Sequence, residues 1–384
     1  MEAYLDNSAT TRVFPEAADI VMKTMTRDYG NPSSMHKKGF EAELYIKEAA
    51  RQIADTLKAR PSEIIFTSGA TESNNTAIMG AANAGKRRGN KIITSTIEHA
   101  SVYNVFGHLE SEGFEVIYVP VDHYGRIDLE MLSNATDSGT ILVSVMFVNN
   151  EMGGVNDVDA ISRVVKEKNP SALFHVDAVQ AYGKYRINPK RSGIDLLSAS
   201  AHKFNGPKGV GFLYVKTGAK ITPLLYGGGQ QKDMRSGTLN VPGIAGMGAA
   251  ARLSYEHLDE ERERLYALRE LFISLISELE GVTVNGAPDR MGAPHIVSAS
   301  FEGIRGEVLL HALEDKGVYV SSGSACSSNH PALSGTLKGI GVKDELLDAT
   351  LRFSFGAYTT EEEIRYAAQV LAELLPVLRK YRRR

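Results

Sequence analysis

Residues 198–209, SASAHKFNGPKG, join two short apolar runs and carry a lysine between them. The runs at 195–197 and 210–215 each predict a buried strand. Lys203 is therefore expected in a turn of small residues at a strand end. Burial disfavours the charged form of such a lysine, and a neutral amine forms Schiff bases with carbonyl compounds, pyridoxal 5'-phosphate (PLP) among them. The alternative interpretation is a solvated surface lysine before a Gly-Pro turn.

An acidic strand end lies upstream of this lysine. Residues 173–180, LFHVDAVQ, predict a strand whose carboxyl end presents Asp177, followed three residues later by Gln180. PLP needs an acidic partner for its ring nitrogen, so that the ring can accept electrons from a substrate carbanion. Lys203 follows Asp177 by 26 residues, which leaves room for a crossover and one strand. Asp177 as the N-cap of the next helix is the alternative.

Further polar clusters follow apolar runs along the chain. Between residues 64 and 215 predicted strands alternate with helical segments, which is typical of a largely parallel, doubly wound sheet that binds ligands at the carboxyl ends of its strands. The clusters expected to converge there are 69–73, 98–99, 149–151, 177–180, 200–203 and 235–238. Taken singly, the first is also compatible with a Ser/Thr helix cap, His99 with a surface cap, and 149–151 with turn chemistry.

Composition limits the classes of function. The chain has 384 residues and a formal net charge of −3 with mixed signs, so nothing favours direct contact with nucleic acid. The longest apolar run, near 141–148, is too short to span a membrane, and the first residues show no secretory signal. A single cysteine excludes internal disulfides and predicts a reducing cytoplasm.

Two domains are expected. Residues 15–250 form a large α/β domain in this prediction, and residues 1–14 with 251–384 form a smaller α+β domain. A long helix from about 244 to 280, with a break or bend near its glycine-rich start, would connect them.

The one cysteine lies in the segment 321–331, SSGSACSSNHP. A structural cysteine is usually buried among apolar side chains, but small and polar residues surround Cys326. These neighbours predict a surface loop and favour a reactive thiolate. We expect Cys326 to be partly exposed and far from Lys203 in the resting protein.

The ordered motifs of the chain resemble a known family. The sequences FTSGATESNN, STIEHAS, FVNNEMG, HVDAVQ, SASAHK, MRSGT, SSGSAC and LRFSFG are similar to those of group I (NifS/IscS-like) cysteine desulfurases, a branch of the class V aminotransferases. The resemblance runs from Tyr4 to the last predicted helix. It implies a fold-type I PLP enzyme, with a mainly parallel seven-stranded sheet in the large domain and a smaller α+β domain that carries the cysteine loop. One difference is Val179, where threonine is common.

The resemblance also implies a role for each matched position. Lys203 would bond covalently to PLP and later move protons, Asp177 would pair with the ring nitrogen and Gln180 with the phenolic oxygen, and His99 would stack on the ring. The residues implied to bind phosphate are Ala70, Thr71, Ser200, His202 and, from the other subunit of a homodimer, Thr238. Asn150, also counted among the cofactor contacts, and Arg352 would hold the substrate carboxylate. Cys326 would take the sulfur of L-cysteine as a persulfide, leaving L-alanine.

The expected partners are a second copy of the chain, L-cysteine and a sulfur-acceptor protein, such as an Fe–S scaffold or a thiolation enzyme. Two alternatives stay open. One is another class V member, either a selenocysteine lyase or an aminotransferase, which a product assay for alanine and sulfide would separate. The other is an inactive scaffold or regulator in this fold, which would lack the visible absorbance of PLP.

Overall fold

Three sheets organise the part of the chain that the structure describes. A computed structural model describes residues 1–322 and 334–380. The strands are β1 (Ala3–Tyr4), β2 (Ile64–Thr67), β3 (Lys91–Ser95), β4 (Glu115–Val119), β5 (Thr140–Met146), β6 (Leu173–Asp177), β7 (Leu196–Ser200), β8 (Gly211–Val215), β9 (Val282–Asn285), β10 (Ile296–Phe301), β11 (Val318–Tyr319), β12 (Ser321–Ser322) and β13 (Thr350–Ser354).

Helices alternate with these strands through the first two thirds of the chain, and further helices follow in the last third. They are α1 (Pro15–Thr26), α2 (Lys37–Leu57), α3 (Ala70–Gly85), α4 (Ala100–Ser111), α5 (Leu129–Ala135), α6 (Val158–Lys168), α7 (Val241–Glu256), α8 (Leu258–Ser277), α9 (Gly306–Glu314), α10 (Gly335–Gly339), α11 (Asp344–Leu347) and α12 (Glu361–Arg379). Within 1–322 and 334–380, none of them has both the length and the apolar composition that crossing a lipid bilayer requires.

The largest sheet has seven strands in the order β2-β8-β7-β6-β5-β3-β4. Neighbours from β7 to β4 are parallel, and β8 runs antiparallel to both β2 and β7. Every residue of β5 is buried, as expected for a central strand covered by helices on both faces. The predicted mainly parallel seven-stranded α/β fold is confirmed.

A smaller antiparallel sheet, in the order β12-β13-β10-β9, packs against α8, α9 and α12. In its core the Phe353 ring lies 4.7 Å from Phe272 and 6.2 Å from Phe301, between ring centroids. Truncating such a buried phenyl ring to alanine costs about 3–5 kcal/mol of folding free energy. This packing fixes β13, which carries Arg352.

The buried apolar side chains form separate clusters around the two sheets. The N-terminal residues belong to the cluster around the smaller sheet, because β1 pairs with β11 and Asp6 pairs with Ser354. We therefore propose the division into a large and a small domain that the sequence predicts. Since α7 packs on α1 and α2 and continues to Glu256, its end is the natural boundary, six residues beyond 250.

The helix predicted from about 244 to 280 is broken, but the break does not lie near its glycine-rich start. It is two helices, α7 and α8, which break at His257, where φ is −121° and ψ is 31°. No Gly or Pro marks the break. Asp259, Glu260 and Glu261 fill the first turn of α8, where acidic side chains favour a new helix N-terminus.

Candidate active site

A cavity of about 1060 Å³ lies at the carboxyl ends of the parallel strands. The turns after β3, β5, β6 and β7 reach it, as does β13 of the small sheet. The predicted site residues that line it are Ala70, Thr71, His99, Asn150, Asp177, Gln180, Ser200, His202, Lys203 and Arg352. Strand ends that are far apart in sequence thus form one wall.

Lys203 ends a 3₁₀ turn, Ala201–Lys203, that directly follows β7. Its Nζ donates to the carbonyl oxygens of Ser8, at 2.5 Å, and Ala9, at 2.9 Å. Lys184 Nζ donates to the main-chain carbonyl of Lys203 from behind. Burial, and after it the charge of Lys203, lower the pKa of the Lys184 ammonium to about 7. A lysine that loses its proton near neutrality therefore supports the turn that presents Lys203.

Asp177 is buried at the end of β6, with 5% of its surface exposed. One carboxylate oxygen accepts from Asn74 Nδ2 at 2.8 Å, and the other accepts from the Val179 amide at 3.0 Å. Asn74 also donates to Ser101 Oγ at 2.9 Å, so α3 and α4 both orient the carboxylate. A fixed, buried carboxylate on the cavity wall can pair with a protonated ring nitrogen.

Gln180 lies beside Asp177 and is also buried. Its Nε2 donates to the Ser8 carbonyl at 3.0 Å, and its Oε1 lies 3.2 Å from His295 Nε2. Burial lowers the pKa of His295 well below its usual value, so the ring is neutral, and the network assigns its proton to Nε2. His295 therefore donates to Gln180 and leaves the amide hydrogens of Gln180 directed toward Ser8 and the cavity.

The N-terminus of α3 forms one end of the cavity. The first amides of a helix have no acceptor within it, and together with the helix dipole they favour an anion. Ser200 and His202 line the same cavity. Burial lowers the pKa of His202 to about 4, so its imidazole is neutral. A Cβ at Gly211 would come within 2.6 Å of the Ala199 carbonyl oxygen and 2.8 Å of Gly69 Cα. Glycine at this position therefore allows β8 to pack closely against Gly69, the residue before α3.

A salt bridge ties the loop at 227–238 to the same helix. Arg235 Nε donates to Glu72 Oε1 at 2.7 Å and its terminal nitrogen lies 3.2 Å from Oε2, which also accepts from the Ser68 amide. Burial opposes the ionisation of Glu72, but the bonds from Arg235 and Ser68 outweigh it and hold its pKa below the usual value. The salt bridge therefore holds the loop beside the N-terminus of α3, the end of the cavity that favours an anion.

His99 caps α4 and faces the cavity. Its Nδ1 accepts from the Ser101 amide at 3.1 Å, which fixes the orientation of the imidazole plane. The neighbouring Glu98 accepts from Ser95 Oγ at 2.5 Å and from the Met146 amide at 3.0 Å through one oxygen. Burial raises the pKa of Glu98 to about 8 despite these bonds. Glu98 thus offers an uncharged acid to the cavity at neutral pH.

Arg352 is buried on β13, with 6% of its surface exposed. One terminal nitrogen donates to the Asn150 carbonyl at 2.8 Å and the other to Asp6 Oδ1 at 2.9 Å. Its Nε is buried and has no hydrogen-bond partner among the residues that the structure describes. A buried guanidinium donor without an acceptor is costly, and a ligand carboxylate in the cavity would supply one.

Two predicted site residues stand apart from this group. Thr238 is exposed and is not among the residues that line the cavity. Cys326 lies outside the described residues, so its predicted exposure and distance from Lys203 stay predictions. Sequence reasoning missed Asn74, Asp6 and Lys184, and it placed Glu151 in the converging cluster 149–151 without giving it a role. Asn74 and Glu151 both lie within motifs quoted above. No local pattern shows that Asn74 contacts Asp177 or that Glu151 contacts the chain after residue 333.

The cavity fits PLP in each part of its donor set. An anion-binding helix end, an oriented buried carboxylate and an amide donor surround Lys203, matching the phosphate, ring nitrogen and phenolic oxygen of the cofactor. Arg352 lines the cavity, and its buried Nε, which has no hydrogen-bond partner among residues 1–322 and 334–380, is a donor that the carboxylate of a substrate could satisfy. The cavity is as large as protein sites for small organic ligands, roughly 300–1,000 Å³.

Comparisons with known proteins agree with this geometry. The chain matches the family "Aminotransferase class-V" over residues 3–366. It is 46% identical to "Cysteine desulfurase IscS" of Escherichia coli over 381 residues, which are 98% of this chain and 93% of that protein. A solved "NifS-like protein" matches with a TM-score of 0.93 and 39% identity, covering 98% of this chain and 100% of the other. "SspA in complex with cysteine" matches with a TM-score of 0.82 and 34% identity, covering 93% and 100%.

The chain belongs to the class V aminotransferase family, whose enzymes depend on PLP. Within that family, its relatives at 43–46% identity over nearly the full chain are cysteine desulfurases, which confirms the predicted enzyme class. The predicted cofactor is confirmed with it.

Proposed function

We propose that the chain converts L-cysteine to L-alanine and carries the released sulfur as a persulfide on Cys326. The observation that carries this proposal is the buried Nε of Arg352, which has no partner within 1–322 and 334–380 and belongs to a residue that lines the same cavity as Lys203 and Asp177. Together these groups suit an amino acid held by its carboxylate beside a PLP-binding lysine. The cysteine bound to a structural relative supports the choice of substrate.

The residues that line the cavity have separate roles in this proposal. Lys203 holds the cofactor covalently and moves a proton at the substrate Cα. Asp177, oriented by Asn74, pairs with the ring nitrogen, and Gln180 donates to the phenolic oxygen. The amides of Ala70 and Thr71 bind the phosphate with Ser200 and His202, while His99 covers the ring. Bound PLP supplies an electron sink that makes cleavage of the substrate Cβ–S bond accessible.

The sulfur step balances without an external oxidant. The Cys326 thiolate attacks the substrate sulfur, an S–S bond forms and the Cβ–S bond breaks. The carbon fragment keeps the electron pair and gains a proton, so cysteine and an enzyme thiol become alanine and an enzyme persulfide. A thiolate nucleophile needs reducing surroundings, which is our reason for proposing the cytoplasm.

Removing the guanidinium should weaken substrate binding. We expect Arg352→Ala to raise the KM for cysteine about 10²- to 10³-fold, because the guanidinium charge and its hydrogen bonding to the substrate carboxylate are lost. Steady-state alanine production measures this, with the visible absorbance of PLP recorded beside it. Arg305→Ala removes an exposed guanidinium from the same domain and should leave KM unchanged. An unchanged KM in Arg352→Ala, with PLP bound, would rule out the role.

We also propose that the chain acts as a homodimer in which Thr238 reaches the cofactor phosphate of the other subunit. Thr238 is exposed, yet its loop is tied to the phosphate-binding helix through Arg235 and Glu72. Directly before this loop Tyr226 exposes 80% of its surface, an aromatic side chain suited to burial against a second copy.

Hybrid dimers distinguish a residue acting across subunits from one acting within its own. A Lys203→Ala subunit paired with a Thr238→Val subunit should keep one intact site and half of the parent activity. A parent subunit paired with a subunit carrying both changes should lose much of that half, because its only functional lysine then faces the altered residue 238. Alanine production by differently tagged, purified hybrids measures both. The reverse ranking, or a fully active monomer by light scattering, would contradict the proposal.

The sulfur acceptor is proposed only as a class: a protein thiol that belongs to an Fe–S scaffold or a thiolation enzyme. The test is transfer of labelled sulfur from the persulfidated protein to each class of purified acceptor. Transfer that also occurs from Cys326→Ser would show that Cys326 is not the carrier.

A further inference from the structure

Glu151 joins two parts of the molecule that the proposed reaction must coordinate. It follows Asn150 in the turn after β5 and lines the cavity. Its carboxylate accepts from Ser334 Oγ at 2.5 Å and from Thr336 Oγ1 at 3.2 Å. Ser334 is the first described residue after Cys326, and it caps α10 through the Leu337 amide, at 3.0 Å.

The turn that carries Glu151 is itself rigidly held. Asn149 Oδ1 accepts from the amides of Glu151, at 2.8 Å, and Met152, at 3.0 Å. Asn149 Nδ2 donates to the Ile97 carbonyl at 3.1 Å, which ties the turn to the chain after β3. The next carbonyl, that of Asn150, accepts from Arg352. One turn therefore contacts both the guanidinium proposed to hold substrate and the chain that follows the cysteine.

Both ends of the segment that contains Cys326 are attached close to Arg352. At the preceding end, β12 pairs with β13, and Ser321 is the direct partner of Arg352. At the following end, Glu151 holds Ser334 and Thr336, and Leu337 packs with Met152 in a buried apolar cluster. The second attachment combines this apolar packing with side-chain hydrogen bonds, and both of those bonds end on the Glu151 carboxylate.

The groups around Glu151 act in opposite directions on the pKa of its carboxyl group. Burial raises the pKa of Glu151, while its bonds from Ser334 and Thr336 and the nearby Arg352 and His99 act in the opposite direction. Burial of a carboxylate for packing alone would be unfavourable. Its two hydroxyl donors, both from the chain after Cys326, offset that cost.

We propose that Glu151 is a positioning residue, which fixes the chain after Cys326 to the wall of the substrate pocket through the hydroxyls of Ser334 and Thr336. The inference rests on the proposed sulfur transfer to Cys326 and adds the residue that sets where the following chain is anchored. It predicts that Glu151 affects transfer of sulfur rather than binding of cysteine.

The variants separate the carboxylate from its partners. Glu151→Ala removes the acceptor, and Glu151→Gln keeps the shape and one acceptor oxygen if the alanine variant folds poorly. Ser334→Ala with Thr336→Val removes both donors but leaves Glu151 and Arg352 in place. Ser334→Thr keeps a hydroxyl that can both cap α10 and donate, and serves as the matched control.

The measurement is a single turnover with L-cysteine, followed by alkylation and mass spectrometry of the Cys326 peptide. We expect persulfide formation to slow roughly 10- to 100-fold in Glu151→Ala and in the double hydroxyl variant, as misplacement by about 1 Å can cause. Glu151→Gln should be intermediate and Ser334→Thr equal to the parent. The cysteine-induced change in cofactor absorbance should keep its concentration dependence. Combining Glu151→Ala with the hydroxyl changes should slow the step no further, because all three groups act as one unit.

A second readout needs no cofactor. In the cofactor-free protein, hydrogen exchange at the Leu337 amide should be faster in Glu151→Ala than in the parent, because α10 loses an anchor. The inference is overturned if the double hydroxyl variant forms persulfide at the parent rate, if the effects add independently, or if Leu337 exchange is unchanged. Cys326→Ser distinguishes failure of this inference from failure of the proposed function. If Cys326→Ser still releases sulfide at the parent rate, the proposed function itself fails.

Discussion

Replacing Lys203 by alanine is expected to abolish desulfuration, with a loss of roughly 10⁴-fold or more. The lysine both attaches the cofactor and moves a proton at the substrate Cα, and proton transfer by a positioned group alone contributes about 10²- to 10⁴-fold. Alanine formation measures the loss. In the parent, borohydride treatment should fix the cofactor on the peptide that contains Lys203, and in Lys203→Ala no lysine should be labelled.

Lys208 provides the control for this labelling. It is an exposed lysine five residues further on, and it lines the same cavity. Lys208→Ala should keep the label on Lys203. If the label in the parent were found on Lys208 or Lys184 instead, the assignment of Lys203 would be wrong, although the fold would stand.

Replacing Cys326 by serine is expected to reduce sulfide release to the background of the cofactor-free protein. A serine hydroxyl is not ionised at neutral pH and cannot replace the thiolate as acceptor of the substrate sulfur. PLP should stay bound, since the residues proposed to hold it lie in the sheet and not in the cysteine segment. The cysteine-induced absorbance change should also persist, because Arg352 is intact. Sulfide released by Cys326→Ser at the parent rate would exclude Cys326 as the acceptor.

Sequence reasoning locates the site because its chemistry follows apolar runs directly. Asp177 and Lys203 each end a short buried strand, and strands that alternate with helices must bring their carboxyl ends to one edge of a sheet. The convergence of the clusters 98–99, 149–151, 177–180 and 200–203 therefore follows from the order of the elements. Individual side-chain contacts are not needed for it.

What sequence reasoning could not supply are contacts that depend on tertiary packing. Asp6 pairs with Arg352 across 346 residues, and no local pattern indicates that partner. Asn74 reaches Asp177 across 103 residues only because α3 lies over the sheet beside β6. The break at His257 was missed for a similar reason, since neither Gly nor Pro marks it and the acidic first turn of α8 is also compatible with a continuous helix.

Lys184 and Glu151 show the same limitation for side chains that support others. Each is an ordinary charged residue in its local sequence. Their significance comes from what they bind: the main-chain carbonyl of Lys203 for one and the hydroxyls of Ser334 and Thr336 for the other. Roles of this kind depend on partners that only the folded chain brings together.

The central claim is that one molecule of cysteine leaves its sulfur on Cys326 and departs as alanine. The direct measurement is a single turnover of the PLP-loaded parent protein with L-cysteine, without reductant, followed by quantification of alanine and mass analysis of the Cys326 peptide. The account predicts equal amounts of alanine and of peptide heavier by one sulfur atom. Alanine without that added sulfur, or pyruvate or another keto acid in place of alanine, would contradict it.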